Sequence, residues 1–328
     1  MSYQASQFKY LHRIDRVSKA PAVTRIHRPV MLTESIDGLA IQPEGCYLDA
    51  TFGRGGHSQA ILAKLGPQGQ LLVLDRDPEA LAQAQKLAAQ DVRVRVLKGA
   101  FSQVGSLLAN QGLSTTLDGA LFDFGVSSPQ LDDAKRGFSF QQDGPLDMRM
   151  DNAQGPSARD WLARASVEEM CYVFKSYGEE SQAQNIAEKI VAHRASKAIN
   201  TTKDLVAVIL SALPSINHKR HPATKIFQAI RMHINDELQE IILGLRACIA
   251  YMHPGSRLVT LSYHSLEHTT ISQVVKQRVC NDQQAIELTP NLPKLKRVGR
   301  AQRAGRTEVM HNARSRSALL RVWEVLND

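Results

Sequence analysis

The residues best suited to chemistry in this 328-residue chain lie in two turns, each directly after an apolar run. In the first, residues 47–58 read YLDATFGRGGHS. The glycines at its centre let the backbone approach a ligand closely and open a helix N-terminus. The run LLVLD follows at residues 71–75, so Asp75 stands at the carboxyl end of the next strand, where an acid can accept hydrogen bonds from ribose hydroxyls. The spacing predicts a cofactor that contains a nucleoside.

Three interpretations of this glycine turn stay open from the segment alone. A dinucleotide fingerprint requires a third glycine or alanine where Ser58 stands. An acid such as Asp49, just before the turn, suits a cofactor that carries an ammonium group and no pyrophosphate. The segment therefore favours S-adenosylmethionine over a nicotinamide dinucleotide, and a purely structural turn is the third alternative.

The second turn, residues 121–132, reads LFDFGVSSPQLD and must also lie beyond the carboxyl end of a strand. Its Ser127-Ser128-Pro129-Gln130 loosely resembles the Asp/Asn/Ser-Pro-Pro-aromatic sequence of enzymes that methylate exocyclic amines, without the second proline or the aromatic residue.

A cytosine amine is a poor nucleophile because its lone pair is delocalised into the ring. Acceptors on its N–H groups, from Asp123, a serine hydroxyl or a carbonyl near Pro129, would free that pair. Alignment of the reacting atoms is worth roughly 7–11 kcal/mol. Asp123 as an orienter of the cofactor is an equal alternative.

A third candidate is His264, which begins the sequence His264-Ser265-Leu266-Glu267-His268. That sequence matches a zinc-peptidase pattern, but it straddles a strand end and a helix start, so we predict no metal. We expect His264 near the substrate as a hydrogen-bonding group or proton acceptor. A structural His264 beside a helix-capping Ser265 is the alternative.

Two further segments suggest contact with RNA. Arg136, Phe138 and Phe140 interleave a cation with two aromatic rings, either to stack a flipped-out base or to anchor a core. Lys219, Arg220 and Lys225 form a basic cluster that either binds phosphate or is a solvated surface.

Composition and charge fit a soluble partner of a polyanion. Hydrophobic residues make up 43% and charged residues 22% of the chain, and the net charge is +8. The cations concentrate at the two ends, which predicts arms that hold a polyanion. For residues 294–306, rich in Lys and Arg among Gly and Pro, we expect disorder that becomes ordered on RNA. No apolar run is long enough to span a membrane, and four scattered cysteines favour a reducing cytoplasm.

The elements that must position these residues change in type along the chain. Strand and helix patterns alternate through residue 130, which predicts a parallel sheet covered on both faces. Helical spacing dominates from about residue 136 to residue 218. Residues 222–251 are predicted to form mostly one long helix, and residues 317–325 are a candidate for the last edge strand. We predict a basic extension (1–26), an α/β domain in two parts (27–137 and 219–328) and a helical insert (138–218).

Seven segments together resemble the MraW/RsmH family of bacterial methyltransferases, and DGPLDMRMD at residues 143–151, which contains Arg149, is the most specific of them. The other segments are residues 51–58, 75–78, 125–133, 136–140, 221–229 and 264–267. The chain departs from the family in two ways. Its first twenty-five residues extend beyond the usual start, and it has Tyr263 and His268 where the family commonly has Phe and Asp.

The resemblance implies a class I, Rossmann-like S-adenosylmethionine methyltransferase with a helical insert, acting on a cytosine N4 in the decoding region of 16S rRNA. It implies Arg149 as a further substrate-binding residue, and the 16S rRNA or the small ribosomal subunit as the partner. It also implies a set of cofactor-binding residues: Gly55, Gly56, His57, Asp75, Phe101, Asp123 and Gln130. A non-catalytic RNA-binding assembly factor that keeps the pocket, and a nicotinamide oxidoreductase, are the alternatives.

Overall fold

A single seven-stranded sheet forms the centre of the computed structural model, which describes residues 29–111, 117–213, 221–276 and 292–327. The strands follow the order β3-β2-β1-β4-β5-β7-β6, in which the first five are parallel and β7 is antiparallel to both of its neighbours. The strands are β1 (Cys46–Asp49), β2 (Gln70–Asp75), β3 (Val94–Lys98), β4 (Leu117–Asp123), β5 (Met252–Ser262), β6 (Leu295–Arg303) and β7 (Leu319–Val325).

Helices cover both faces of the sheet. Those of the sheet domain are α1 (Leu32–Leu39), α2 (Gly56–Leu62), α3 (Pro78–Gln90), α4 (Val104–Asn110), α5 (Ser128–Asp132), α11 (Glu237–Ala250), α12 (Ser265–Val275) and α13 (Arg306–His311). The helices between α5 and α11 are α6 (Ala158–Arg164), α7 (Val167–Ser176), α8 (Ala183–Arg194), α9 (Thr202–Ala212) and α10 (Ala223–Ile234).

The central strands are apolar along their length because both of their faces are buried. All four residues of β1 are buried, and the two faces of the sheet pack into two separate apolar clusters. One cluster contains Phe122 and the other contains Tyr47, both nearly inaccessible to solvent. Strands buried on both sides read as continuous apolar runs. The predicted parallel sheet with helices on both faces is therefore confirmed.

A third apolar cluster holds the helical region together, separately from the sheet. Its buried members run from Phe138 to Ile230, and they come from helices α6 to α10 and the loops before them. Helix α10 follows residue 218 and nevertheless packs into this cluster. The insert thus shares its core with a helix that the predicted limits, 138–218, leave outside it.

The long helix predicted for residues 222–251 is two helices, α10 and α11, that meet at Asn235 and Asp236. Asp236 has a left-handed backbone (φ 49°), which ends one helix before the other begins. Asn235 is buried, and its side chain donates to the Met148 carbonyl (2.7 Å) and accepts from the Met150 amide (2.8 Å). The break therefore follows from a contact with the insert.

The prediction of disorder for residues 294–306 was wrong, because residues 295–303 form strand β6. Strand β6 pairs antiparallel with β7, so β7 lies inside the sheet and β6 is the edge. The ladder is irregular between Val298 and Gln302, where Gly299 has φ 67°. This irregularity removes the alternation by which a strand is recognised in sequence.

Across the described ranges, no helix combines the length and the apolarity that crossing a membrane requires. Cys171 and Cys248 are buried and form no disulfide.

Candidate active site

The carboxyl ends of β1, β2, β4 and β5 border one cavity of about 330 Å³. This is the edge at which open parallel sheets bind ligands. Most of the residues predicted to be catalytic or cofactor-binding line it: Gly56, His57, Asp75, Phe101, Asp123, Ser127, Ser128, Pro129, Gln130 and His264. Gly55 does not line the cavity itself, but it lies in the loop between Arg54 and Gly56, which do.

The glycine loop after β1 is shaped by the requirements of its backbone. Gly53 and Gly55 have positive φ (54° and 76°), and a side chain on Gly55 would meet the Phe52 ring at 2.7 Å. A side chain on Gly56 would come within 2.2 Å of Pro29. Glycine is thus required at these positions by backbone conformation and by close packing.

Asp49, the last residue of β1, stabilises the glycine loop. It is completely buried, and its carboxylate accepts from the Thr51 amide (3.1 Å) and the Ser58 hydroxyl (2.6 Å). Burial raises its pKa, which the hydrogen bonds and the nearby His57 oppose. Asp49 therefore orders the loop, whereas the sequence had suggested a partner for an ammonium group.

Asp75 ends β2 and closes the loop from the other side. Its two oxygens accept from the Gly53 amide (2.9 Å) and the Asp77 amide (2.9 Å). Burial raises its pKa to about 6, although these amides act in the opposite direction. An acceptor of this kind beside a glycine loop fits a ribose diol.

Asp77 joins three parts of the site. Its Oδ1 accepts from the Glu79 amide (2.9 Å) and caps α3, while its Oδ2 accepts from Gln130 (2.7 Å) and Arg136 (2.8 Å). Gln130 also accepts from the Ser127 amide (2.9 Å), so both ends of its carboxamide are engaged. The serine–proline turn is thereby fixed to the start of α3.

Phe101 forms an apolar wall of the cavity. Its ring meets Phe122 and Phe124 edge to face, with centroids 5.7 Å away in both cases. Gly244 of α11 packs directly behind it, since a side chain there would lie 2.4 Å from the Phe101 Cβ. An exposed ring edge held this firmly can flank an adenine base.

Asp123 ends β4 and points to the same cavity. Its backbone amide donates to the Thr51 hydroxyl (2.8 Å), and its Oδ1 accepts from the Tyr263 hydroxyl (2.7 Å). Burial raises the pKa of Asp123, while His57 and the Tyr263 hydrogen bond lower it. Among the described residues no hydrogen bond engages Oδ2, which leaves one carboxylate oxygen for a ligand.

His264 follows β5 and belongs to a buried charged cluster. Its Nε2 lies 2.9 Å from the Glu267 Oε1, and the Glu267 Oε2 accepts from the Tyr263 amide (2.6 Å). Glu237 lies close by and is held by two hydrogen bonds from Arg231 (2.7 and 2.9 Å). Burial alone would raise the pKa of Glu267. The contact with His264 and the nearby charge of Arg231 outweigh that effect and hold the pKa below its usual value. The cluster therefore fixes the turn that presents Tyr263 and His264.

The zinc-peptidase pattern does not form. His268 instead lies with its Nδ1 2.5 Å from the Ser262 hydroxyl, and the ligand atoms that come within 4.8 Å of one another belong to Glu237, His264 and Glu267. Both oxygens of Glu237 are engaged by Arg231. The absence of a metal stays a prediction.

The predicted substrate-binding residues lie outside the cavity, as far as the structure describes them. Arg136 and Phe138 are buried, and Arg136 donates to Asp77, so the contacts favour the anchoring alternative for this pair. Phe140 packs on Phe227 (5.0 Å) in the insert, and Lys225 donates to the Glu179 carbonyl (2.7 Å).

Arg149 forms a pair of hydrogen bonds with Asp147 (2.9 and 2.6 Å), which orders the loop of the insert. Lys219 and Arg220 lie outside the described residues.

Sequence reasoning missed Tyr263, Arg231, Glu237 and the supporting role of Glu267. Glu267 was visible only as part of a metal pattern, and Arg231 and Glu237 stand in helices with no local signal. Tyr263 was visible as a departure from the family, but only the fold brings it to Asp123.

Comparisons with known proteins agree with this geometry. The profile of the MraW methylase family matches residues 24–326. The ribosomal RNA small subunit methyltransferase H of Shewanella loihica is 47% identical over 311 residues, covering 92% of this chain and 98% of the relative. The protein of the same name from Chromohalobacter salexigens is 46% identical and covers 92% of each chain.

The chain belongs to the MraW methylase family. It is a methyltransferase with a Rossmann-like class I fold, and its cofactor is S-adenosylmethionine. The residues fit that cofactor, because a buried acceptor (Asp75), an aromatic wall (Phe101) and a glycine loop surround one cavity. The crystal structure of an rRNA methylase from Streptococcus thermophilus superimposes with a TM-score of 0.39 at 11% identity, covering 92% of this chain and 99% of that one, a score too low to bear on function.

Proposed function

We propose that this protein transfers a methyl group from S-adenosylmethionine to the N4 amine of a cytidine in the decoding region of 16S rRNA, either free or in the small ribosomal subunit. The relatives are named as methyltransferases of small-subunit ribosomal RNA, which supports the choice of RNA. The choice of an exocyclic amine rests chiefly on Asp123, which keeps one carboxylate oxygen available beside the serine–proline turn.

The cofactor side of the cavity is the part near β1 and β2. We assign ribose binding to Asp75, stacking beside the adenine to Phe101, and close backbone contact to Gly55, Gly56 and His57. Gln130 contributes from the serine–proline turn that it anchors. When bound, S-adenosylmethionine supplies an electrophilic methyl group on a sulfonium.

The amine side is the part near β4 and β5. The Asp123 Oδ2 accepts one N4 hydrogen, and the turn at Ser127, Ser128 and Pro129 supplies an acceptor for the other. These hydrogen bonds draw the nitrogen toward a tetrahedral shape and free its lone pair. With S-adenosylmethionine bound, the freed lone pair would be placed to take the methyl group from the sulfonium, whose sulfur would keep the electron pair of the broken carbon–sulfur bond.

The methylated amine is then positive and must lose a proton. His264 lies in the same cavity wall with its Nε2 2.9 Å from the Glu267 carboxylate, so we assign its Nδ1, which has no hydrogen-bond partner among the described residues, as the proton acceptor. A group fixed at this position can act as a general base within hydrogen-bond reach of the nitrogen.

The test is a transfer assay with labelled S-adenosylmethionine and unmodified small subunits or their rRNA, followed by nucleoside digestion. We expect label in N4-methylcytidine, and its loss in Asp123→Ala with S-adenosylmethionine binding largely kept. Asp118→Asn, at the opposite end of the same strand, is the matched control and should keep activity. Label in another nucleoside would contradict the N4 assignment. RNA-linked function that survives Asp123→Ala would favour the assembly-factor alternative.

A further inference from the structure

The segment between β6 and β7 carries an unusual density of positive charge. Residues 295–317, here named the basic hairpin, include strand β6, helix α13 and the short turn before β7. They contain seven cations and a single acid, Glu308. The acid is already engaged, since Glu308 accepts from the Met31 amide (2.8 Å).

Of the six arginines of this hairpin, only Arg314 has a counter-ion among the described residues, and three of the other five lie between the middle of β6 and the start of α13. Lys296 pairs with Glu324 (2.7 Å), and Arg314 pairs with Asp132. Arg300, Arg303 and Arg306 are exposed and have no ion pair or hydrogen-bond partner among the described residues. Their guanidinium donors are therefore available to a partner that brings negative charge.

Strand register places Arg303 at the active-site edge of the sheet, with Arg300 three residues before it and Arg306 three residues after it. Ser262, which ends β5 just before Tyr263, pairs with Leu319, and Leu319 pairs with Arg303. Neighbouring strands lie about 4.8 Å apart, so the Arg303 backbone is roughly 10 Å from Ser262. Arg306 begins helix α13, just after the chain leaves the sheet at this edge.

A second cavity, of about 910 Å³, lies between the hairpin and the active site. Gly305, Thr307, His311 and Arg314 of the hairpin contribute to its wall. The two cavities share Pro29, Ser128, Pro129 and Arg314, so they adjoin at the serine–proline turn. A strand whose base enters the first cavity can thus cross the second and reach the hairpin.

We propose that Arg300, Arg303 and Arg306 bind phosphate groups of the RNA strand that flanks the target cytidine. This inference rests on the proposed function and names the part of the molecule that holds the substrate. Arginine suits the role because its fixed donors match phosphate oxygens. The hairpin sets the position of the strand, whereas the cavity selects the base.

The test compares two triple variants with equal loss of charge. The first is Arg300→Gln, Arg303→Gln and Arg306→Gln. The matched control is Lys64→Gln, Lys86→Gln and Arg95→Gln, which removes three exposed cations around the opposite edge of the sheet. Binding of an unmodified 16S rRNA fragment containing the decoding-region cytidine is measured by fluorescence anisotropy at several salt concentrations, with S-adenosylhomocysteine present. Methyl transfer gives kcat and KM.

For the hairpin variant we expect a Kd and a KM raised about 10- to 100-fold and a log Kd–log salt slope reduced by about 2, since each phosphate contact contributes roughly 0.7–0.9. The control should differ from wild type by no more than about threefold. Replacement of the same three arginines by lysine should restore the slope. Thermal unfolding and S-adenosylmethionine binding should be unchanged, which separates lost RNA contact from misfolding.

Different failures would be distinguishable. If wild type methylates the RNA but the hairpin and control variants behave alike, this inference is wrong and the proposed function stands. If wild type neither binds nor methylates the RNA, both are wrong. A loss of heparin binding with an unchanged KM for RNA would mark a general polyanion surface and overturn the assignment.

Discussion

At the scale of single residues, the site depends on how a few carboxylates are partnered. Asp49, Asp75, Asp77 and Asp123 all stand at or just after strand ends, yet only Asp75 and Asp123 line the cavity and are partly accessible. Asp49 and Asp77 are buried, and their oxygens bind the backbone and neighbouring side chains. Position in the sequence therefore identifies the group of acids, and accessibility from the cavity distinguishes the two that we assign to ligand binding.

Tyr263→Phe tests the hydrogen bond to Asp123. Because that bond lowers the pKa of Asp123, its removal should raise this pKa and move the acid limb of the kcat/KM profile to higher pH. Activity well above the limb should change less than activity below it. Tyr251→Phe removes a hydroxyl that donates to the Gly105 carbonyl and serves as the control. An unshifted profile in Tyr263→Phe would show that ionisation of Asp123 does not limit the reaction.

Cofactor affinity should depend on pH through Asp75. The pKa of Asp75 in the folded protein is about 6, above the usual value of 3.8. As the pH falls, Asp75 therefore takes up its proton at a higher pH in the folded protein than in the unfolded chain, which stabilises the cofactor-free fold. A protonated carboxyl is a poorer acceptor for ribose hydroxyls. S-adenosylmethionine affinity should therefore fall as pH drops through about 6, approaching tenfold per pH unit at the limit. Calorimetry from pH 5 to pH 8 (roughly the range that brackets this pKa) measures it.

Asp75→Asn provides the control for that measurement. An amide keeps an acceptor oxygen but cannot ionise, so the variant should bind more weakly at neutral pH and respond less to pH. An equally steep pH dependence in Asp75→Asn would assign the titration to another group, such as Asp123.

At the scale of elements, the break between α10 and α11 links the insert to the site. Asn235 holds the loop of Met148 and Met150, and its own carbonyl accepts from Arg76 (3.2 Å), which follows Asp75. A single side chain thus connects the loop of the insert with the end of β2.

Asn235→Ala should destabilise the protein by about 2–4 kcal/mol, because it leaves a buried carbonyl and a buried amide without partners. Asn185→Ala, on the exposed face of α8, should cost no more than about 0.5 kcal/mol. Urea unfolding of both variants measures the difference. A cost for Asn235→Ala as small as that of the control would mean that water replaces its hydrogen bonds.

The same elements show what sequence could and could not predict. The alternation of strands and helices up to residue 130 predicted the first four strands, because a short apolar run between turns differs in length and pattern from a helix with one apolar stripe. The glycine loop and the serine–proline turn were found because ligand-binding turns need particular residues. Asn235 had no local signal, since the two partners that tie it to the insert, Met148 and Met150, are more than eighty residues away. Strand β6 was missed because its irregular ladder exposes two residues of every three.

At the scale of the whole molecule, a buried ion pair joins the sheet domain to the insert. Asp77 caps α3, Arg136 stands just before the insert, and their side chains are 6% and 7% exposed. Arg136 also donates to the carbonyls of Arg149 and Met150 (3.0 and 2.8 Å). The ion pair therefore links the insert to the serine–proline turn, because Gln130 of that turn also donates to Asp77.

Asp77→Ala should lower the free energy of unfolding by about 3–5 kcal/mol, since it leaves Arg136 buried without its counter-charge. Asp132→Ala breaks an exposed pair with Arg314 and should cost less than about 1 kcal/mol. Denaturant unfolding followed by both fluorescence and circular dichroism measures the two. If the insert unfolds in a separate transition in Asp77→Ala, the ion pair is also what couples the unfolding of the insert to that of the sheet domain.

The placement of β7 between β5 and β6 has a consequence for biosynthesis. On the side that faces away from β4, residues 257–262 pair with residues 319–324, which are synthesised later. Until then one side of β5 is an open edge, able to pair with other chains. A chain that stops before Leu319 should accumulate as insoluble material, because this edge of β5 would lack the strand that covers it.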